Sequence, residues 1–369
     1  MEYDVAERRD TPLALKLKQR IGRQGPVSVA DYIRACLSDP EHGYYVRHPA
    51  IGRAGDFITA PEISQVFGEL VGLWCAVVWQ QMGSPRRFNL VELGPGRGTL
   101  ISDALRAARI VPGFLDAADV LLVESNAALK QMQQDALAGS GARLGWGEMR
   151  NLAPAPTVLI ANEFLDVLPI SQVMLTKEGW VERAVGIDGA GRLQYVAGRR
   201  VDAKEPERLI TAGPGEIFET RELDGIIGRL GELSLQASMA VLFVDYGHAR
   251  SLAGDSLQAV RNHRFEHPLA SPGEADLTSQ VDFEALREAA AAAGLSADGP
   301  VTQSEFLGRL GIMERASRLM AANPEDAGQI EAGVARLMSP AGMGSRFKAV
   351  GLRRRPLATL PGLETVRTG

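Results

Sequence analysis

The sequence predicts an α/β fold: a mostly parallel, doubly wound sheet with N-terminal helices and an inserted β-rich and helical substrate subdomain. Three observations lead there. The runs at residues 88–93, 120–124, 158–161 and 240–245 are short and nearly continuous in Val, Leu and Ile, as strands buried on both faces are. Segments with helical spacing lie between them, at residues 99–110, 127–138 and 226–235, and such alternation implies a parallel sheet covered by helices. A glycine-rich turn, residues 94–98, joins the first of these strands to the first of these helices.

Taken in order, the apolar positions Leu13, Leu15, Leu17 and Ile21, then Val29, Tyr32, Ile33 and Leu37, recur at helical spacing. The break at Gly22-Arg-Gln-Gly-Pro26 separates them into two helices. Residues 40–46 and 51–59 are glycine-rich with short apolar pieces, more loop and strand than helix, and a long helix should follow Pro61 to about Met82. Residues 172–218 alternate short apolar runs with turns such as Ile187-Asp-Gly-Ala-Gly191, which reads as inserted β-hairpins. Residues 251–273 are rich in Gly, Pro and mixed charge and read as a loop over one edge of the site. From Val281 onward the chain reads as largely helical, with an alanine-rich stretch at 283–293. The expected division is an N-terminal helical region with a covering loop (1–82), a core (83–171 and 236–369) and an inserted subdomain (172–235).

Composition narrows the function classes. A formal net charge of −5 argues against bulk nucleic acid as a partner, and Arg261-Asn-His-Arg264 is too short to form a basic patch. The two cysteines, Cys36 and Cys75, lack metal-ligand spacing and fit buried thiols in a reducing compartment. His248, His263 and His267 match no compact ligand motif, so no metal is expected. The acidic N-terminus lacks the order of a signal peptide or presequence, making a cytoplasmic protein the expectation, and no apolar run is long enough to span a membrane. Oligomeric state is not legible.

In Asn89-Leu-Val-Glu-Leu-Gly-Pro-Gly-Arg-Gly-Thr99, Gly94, Gly96 and Gly98 lie between a strand and a helix. Such a turn lets a ligand approach the backbone and use unpaired N–H groups at the helix start. A dinucleotide fingerprint would want Gly or Ala at position 99, where Thr99 stands. Glu92 beside the turn disfavours a pyrophosphate and suits a cationic ligand. S-adenosyl-L-methionine carries a sulfonium and an ammonium. Glu124, ending the next strand, is placed for the two ribose hydroxyls, and Trp146 is either an adenine-facing ring or a core tryptophan.

These residues and several flanking blocks resemble the MidA-like family of class I, Rossmann-like methyltransferases. The blocks are Gly55-Asp-Phe-Ile-Thr-Ala-Pro-Glu-Ile-Ser-Gln65 with Phe67-Gly-Glu69, Glu92 to Gly98, Asn162-Glu-Phe-Leu-Asp-Val-Leu-Pro169, Asp245-Tyr-Gly247, and Pro272-Gly-Glu-Ala-Asp-Leu-Thr278 with Val281-Asp-Phe283. The resemblance implies S-adenosyl-L-methionine as cofactor and, by the family's best-known activity, symmetric dimethylation of an arginine in a respiratory complex I subunit. It also implies that Asp56, Thr59 and Glu62 cover the donor. The bland alternative is an N-cap at Thr59, with Pro61 in the first turn and Glu62 completing a capping box.

An arginine acceptor needs carboxylates to hold the guanidinium and take up charge as its proton is lost. Asn162, Glu163 and Asp166 follow a strand at the carboxyl edge of the sheet and are the expected catalytic residues; the alternative is that the two acids cap a helix. Gln65, Asp245 and Tyr246 are expected to contact substrate. The competing readings are a small-molecule or nucleic-acid methyltransferase and a non-catalytic assembly factor on the same scaffold.

Overall fold

The computed structural model describes residues 8–47, 58–177, 179–201, 215–354 and 356–364. The chain divides into two compact units, one of residues 1–57, 166–222 and 250–282, the other of residues 58–165, 223–249 and 283–369. This partition departs from the expected one. The N-terminal helices belong with the inserted hairpins and with residues 250–282, whereas the helix at 224–234 belongs with the core.

Among its described residues the second unit has seven strands: β1 (Phe88–Leu93), β2 (Ala118–Val123), β3 (Arg143–Gly147), β4 (Thr157–Asn162), β5 (Met239–His248), β6 (Ser296–Thr302) and β7 (Phe347–Arg353). Their order across the sheet is β6-β7-β5-β4-β1-β2-β3. Strands β5, β4, β1, β2 and β3 run parallel, and β7 and β6 add an antiparallel edge. Register aligns Leu93 with Val123 and Ala161, and Asn162 with Val244, so β1, β2 and β4 finish nearly level while β5 runs on to His248. That edge is where open α/β sheets bind ligands.

Helices α1 (Gln65–Gln81), α2 (Thr99–Ala108) and α3 (Ala127–Leu137) belong to this unit. The first two meet through glycine. A Cβ at Gly72 would lie 2.3 Å from the Ala104 carbonyl oxygen, and one at Gly68 would lie 2.7 Å from the Asp103 Cβ. Larger residues there would push α1 away from the helix that begins at the glycine turn. Below them Trp79, Phe88 and Phe114 pack with ring centroids 5.2–6.2 Å apart.

Two expectations fail in this unit. The single helix after Pro61 is a short turn, Ala60–Ile63, followed by α1; Ser64 between them is extended and its hydroxyl accepts the Val66 N–H at 3.3 Å. Ser64 is therefore a helix cap hidden inside an apolar run. The tail contains β6 and β7 besides its helices. Their charged residues, Asp298 and Arg353, mask strand character in the sequence but neutralise each other across the pair at 2.7 Å.

In the first unit, helices Pro12–Gln24 and Val29–Ser38 form as predicted, each with a hydroxyl N-cap: Thr11 accepts the Ala14 N–H and Ser28 the Asp31 N–H. The strands Ile170–Thr176, Gly179–Ile187, Leu193–Arg200 and Ile217–Arg221 form an antiparallel sheet with Val27–Ser28, as the hairpin pattern predicts. Residues 251–273 are more than a loop: Gln258–Arg261 pairs with Arg264–Glu266 and with Asp276–Thr278. Asn262 and His263 both have positive φ (51° and 59°), which makes the basic quartet a tight hairpin turn. Gly273, with φ +78°, sits where a Cβ would lie 2.3 Å from the His42 carbonyl oxygen. Cys36 and Cys75 are buried free thiols, and burial pushes Cys36 up to about 12. Among the described residues no helix is long and apolar enough to cross a membrane.

Candidate active site

Strand β1 delivers the glycine turn to the carboxyl edge. Gly94, Gly96 and Gly98 have φ of +62°, +52° and +82°, a region that an L side chain enters only at a cost of about 1–2 kcal/mol. Two of the glycines also answer to neighbours within the unit. A Cβ at Gly94 would lie 2.9 Å from the Phe164 ring, and one at Gly98 would lie 3.4 Å from Gln133. Gly98 is the N-cap of α2, so the turn feeds directly into a helix start.

Glu92 lies under that helix start. Its carboxyl is 3% exposed and accepts the Ile101 N–H; Oε2 has no partner among the described residues. Burial raises its pKa to about 8, so the carboxyl stays protonated at neutral pH unless a cation comes near. Glu124, half-buried beyond β2, accepts the Asn126 N–H at 2.8 Å; burial raises its pKa against those hydrogen bonds. Trp146 stands on β3 at the sheet edge, half-buried against the core, with its indole N–H donated to the Gln133 Oε1 at 2.7 Å. Gln133, on α3, went unnoticed in the sequence because one glutamine on a helix carries no motif.

Beyond β4, Glu163 has φ +51°, uncommon for a residue with a side chain. Its N–H donates to the Val244 carbonyl, and its Oε1 accepts N–H groups from Ala60 and from the Asn162 amide, each at 3.0 Å. Burial, with the nearby Asp245 charge adding, raises its pKa to about 7. Asn162 keeps Oδ1 buried and without a partner among the described residues. Asp245, 1% exposed on β5, accepts the N–H groups of Phe164 (3.1 Å), Leu165 (2.9 Å) and Tyr246 (2.9 Å). The segment after Asn162 is therefore a turn pinned by Asp245, and no helix exists there for Glu163 or Asp166 to cap.

The remaining expected residues scatter. Asp56 lies outside the described residues. Thr59 takes the N-cap position of the Ala60 turn without a side-chain cap, so the capping box does not form. Glu62 instead accepts the Thr99 hydroxyl at 2.6 Å, tying that turn to the start of α2. Gln65 donates to Glu69 at 3.3 Å, and Glu69 is clamped by Arg106 and Arg315 at 3.1 and 2.7 Å. Tyr246 packs against Phe347 with ring centroids 5.7 Å apart. Asp166 is buried in the other unit, where its carbonyl accepts the Ser279 N–H. Among the described residues no group of three or more His, Cys, Asp or Glu gathers as for a metal ion.

Comparison with known proteins bears on this arrangement. Residues 70–301 match the Methyltransf_28 family of S-adenosyl-L-methionine-dependent methyltransferases. The human mitochondrial protein arginine methyltransferase NDUFAF7 is 35% identical over 382 residues, covering 93% of this chain and 84% of its own. Its Drosophila melanogaster homolog is 35% identical over 385 residues, covering 95% and 85%. A protein from Burkholderia thailandensis crystallised with S-adenosyl-homocysteine bound superposes with a TM-score of 0.82 at 27% identity, covering 96% of this chain and 93% of that one. The expectation of a cytoplasmic protein is overturned, because the relatives that match are named as mitochondrial proteins. An acidic first segment is too small a feature to fix a compartment.

Proposed function

Since the chain belongs to the Methyltransf_28 family and is an S-adenosyl-L-methionine-dependent methyltransferase, we propose that its acceptor is an arginine guanidinium of a protein. In the finer reading the product is symmetric dimethylarginine on a respiratory complex I subunit, and the reaction supports assembly of that complex. The relatives' names as protein arginine methyltransferases support the acceptor class.

One observation of the site carries the reading: Glu163, half-buried, held at φ +51° and raised to about 7, beside Asp245 at the sheet edge that carries the glycine turn. A side-chain-bearing residue kept in a strained conformation persists where its surroundings over-determine it, and such positions cluster at functional sites. A carboxyl titrating near neutrality can take a proton as easily as it gives one. When bound, the donor supplies an electrophilic methyl group on a sulfonium. Gly94, Gly96 and Gly98 would shape the backbone against it, Glu92 would respond to its positive charge, and Glu124 and Trp146 would hold its nucleoside end. The orphaned Glu92 Oε2 and Asn162 Oδ1 fit a cationic, hydrogen-bonding occupant. Glu163 would orient the guanidinium and receive the proton it loses as the nitrogen gains the methyl group, with Asn162 holding the carboxylate in place. Asp245 fixes the turn that presents Glu163.

The test is transfer of radiolabelled methyl from S-adenosyl-L-methionine to purified complex I subunits, followed by amino-acid analysis. Label in symmetric dimethylarginine is the expected result. Label on RNA or on a metabolite instead would replace the acceptor class, and donor binding without any transfer would point to an assembly factor.

A further inference from the structure

We propose that Gln133 is a positioning residue for the donor, one amide that sets the glycine turn, the ribose acid and the aromatic wall in register. The proposal rests on the reading that Glu124 and Trp146 hold the nucleoside end of S-adenosyl-L-methionine.

Gln133 is 0% exposed on α3, a helix that otherwise presents a half-polar surface. Its Nε2 donates to the Gly96 carbonyl oxygen at 2.6 Å and reaches the Glu124 Oε2 at 3.5 Å, while its Oε1 accepts the Trp146 indole N–H at 2.7 Å. The chemistry fixes the amide's orientation. Two of its three partners are acceptors and one can only donate, so exchanging the amide oxygen and nitrogen would break all three contacts. These partners come from three different elements: the loop after β1, the end of β2, and β3.

Each contact has a consequence for a ligand. Because the peptide is planar and trans, drawing the Gly96 carbonyl toward α3 turns the following N–H, that of Arg97, to the opposite side. A Cβ added at Gly98 would lie 3.4 Å from the Gln133 Cα and Cγ, so the turn passes close over this residue as well as bonding to it through the Gly96 carbonyl. The indole N–H is satisfied within the protein, which locks the ring of Trp146 and leaves its face to do the binding. The Glu124 carboxylate, tied by Asn126 on one oxygen, is steadied by Gln133 on the other. A fully buried amide is costly if left unpaired, and here it is paired with Gly96, Glu124 and Trp146, all groups assigned to the donor site.

S-adenosylhomocysteine affinity by calorimetry tests this, with Gln133→Met, Trp146→Phe, Glu124→Gln and the Gln133→Met/Trp146→Phe pair. Gln133→Met keeps the volume and removes every polar contact. Its dissociation constant should rise at least tenfold, with donor KM changing more than kcat. In the Trp146→Phe background the same substitution should cost at least threefold less, because part of its effect passes through the indole. Should the Met variant fail to fold, Gln133→Glu is isosteric: it keeps an acceptor for Trp146 but sets a carboxylate against Glu124 and the Gly96 carbonyl, and should weaken binding by at least as much. Unchanged affinity in a folded Gln133 variant, or costs that simply add in the pair, would overturn the positioning role while leaving the donor site standing. If Trp146→Phe and Glu124→Gln both bind as tightly as the native protein, the nucleoside reading falls and takes this proposal with it.

Discussion

At the β1–β2–β3 end of the catalytic sheet, order comes from a neutral amide. Gln133 gathers a backbone carbonyl, a carboxylate and an indole, and the glycine turn is shaped by positive φ angles. At the β4–β5 end, order comes from charge-capable groups: Glu163 and Asp245 together accept five N–H bonds, from Ala60, Asn162, Phe164, Leu165 and Tyr246. The end proposed to receive the cofactor is ordered by an amide, whose state is indifferent to pH, with the acids Glu92 and Glu124 set around it. The end proposed to exchange a proton holds Glu163 where burial makes it reluctant to ionise. The two come together at Gly94, where an added Cβ would lie 2.9 Å from the Phe164 ring.

The contrast breaks most severely at the turn. Gly96→Val places a β-branched side chain at φ +52°, a conformation such residues almost never adopt. S-adenosylhomocysteine binding should fall about 100-fold or more, since strain of about 1–2 kcal/mol for any side chain is compounded by the branch. Calorimetry showing native affinity would remove the turn from the donor site.

On the acid side, Asp245→Ala strands three N–H groups in a buried turn. Charge-assisted hydrogen bonds are worth about 1.5–3 kcal/mol each, with partial recovery through relaxation, so a loss of about 3 kcal/mol in chemical denaturation is expected. Asp245 was expected to contact substrate, and a stability loss with no change in acceptor KM would assign it wholly to the scaffold. Glu163→Gln should leave donor affinity within about twofold and slow transfer about 10- to 100-fold, below or within the usual span for a positioned base. In the native enzyme kcat/KM should rise as pH passes about 7, because the ionised carboxylate is the proton acceptor, and the Gln variant should lose that inflection. An unaltered pH profile would sever Glu163 from the chemistry.

The half proposed to hold the donor could be read in the sequence because its parts are local. Three glycines between a strand and a helix, and acids at known offsets from strand ends, declare themselves within a few residues. Gln133 could not, because its meaning comes from partners 37 and 13 residues away. Asn162, Glu163 and Asp245 were legible as polar residues at strand ends, yet the division of labour between them depends on register. Only when β4 and β5 lie parallel, with Asn162 opposite Val244, does Asp245 reach the N–H groups after Glu163. The N-terminal helices illustrate the converse. Their spacing was plain, but their membership in the unit of antiparallel hairpins is a matter of tertiary contacts that no window of sequence contains. Strands β6 and β7 escaped notice for a third reason, a charge pair inside the sheet that reads as surface until the two halves meet.

The subtlest test concerns Glu92, the acid that lies beside the glycine turn on the donor side. Burial raises its carboxyl to about 8, so between pH 4.5 and 8 the folded chain keeps a proton that the unfolded chain releases. A raised carboxyl contributes stability that is fully present below its ordinary value and is lost as pH climbs through the folded one, at no more than about 1.4 kcal/mol per pH unit. Glu92→Gln, which cannot ionise, should flatten that part of the stability–pH curve measured by chemical denaturation, and should be relatively more stable than the native protein at pH 8. The same substitution separates two roles. If Glu92 only braces the Ile101 N–H, affinity for S-adenosyl-L-methionine will be the same function of pH in both proteins. If it answers the donor's positive charge, the native protein will bind more tightly as pH rises toward 8 and release a proton on binding, and the Gln variant will do neither.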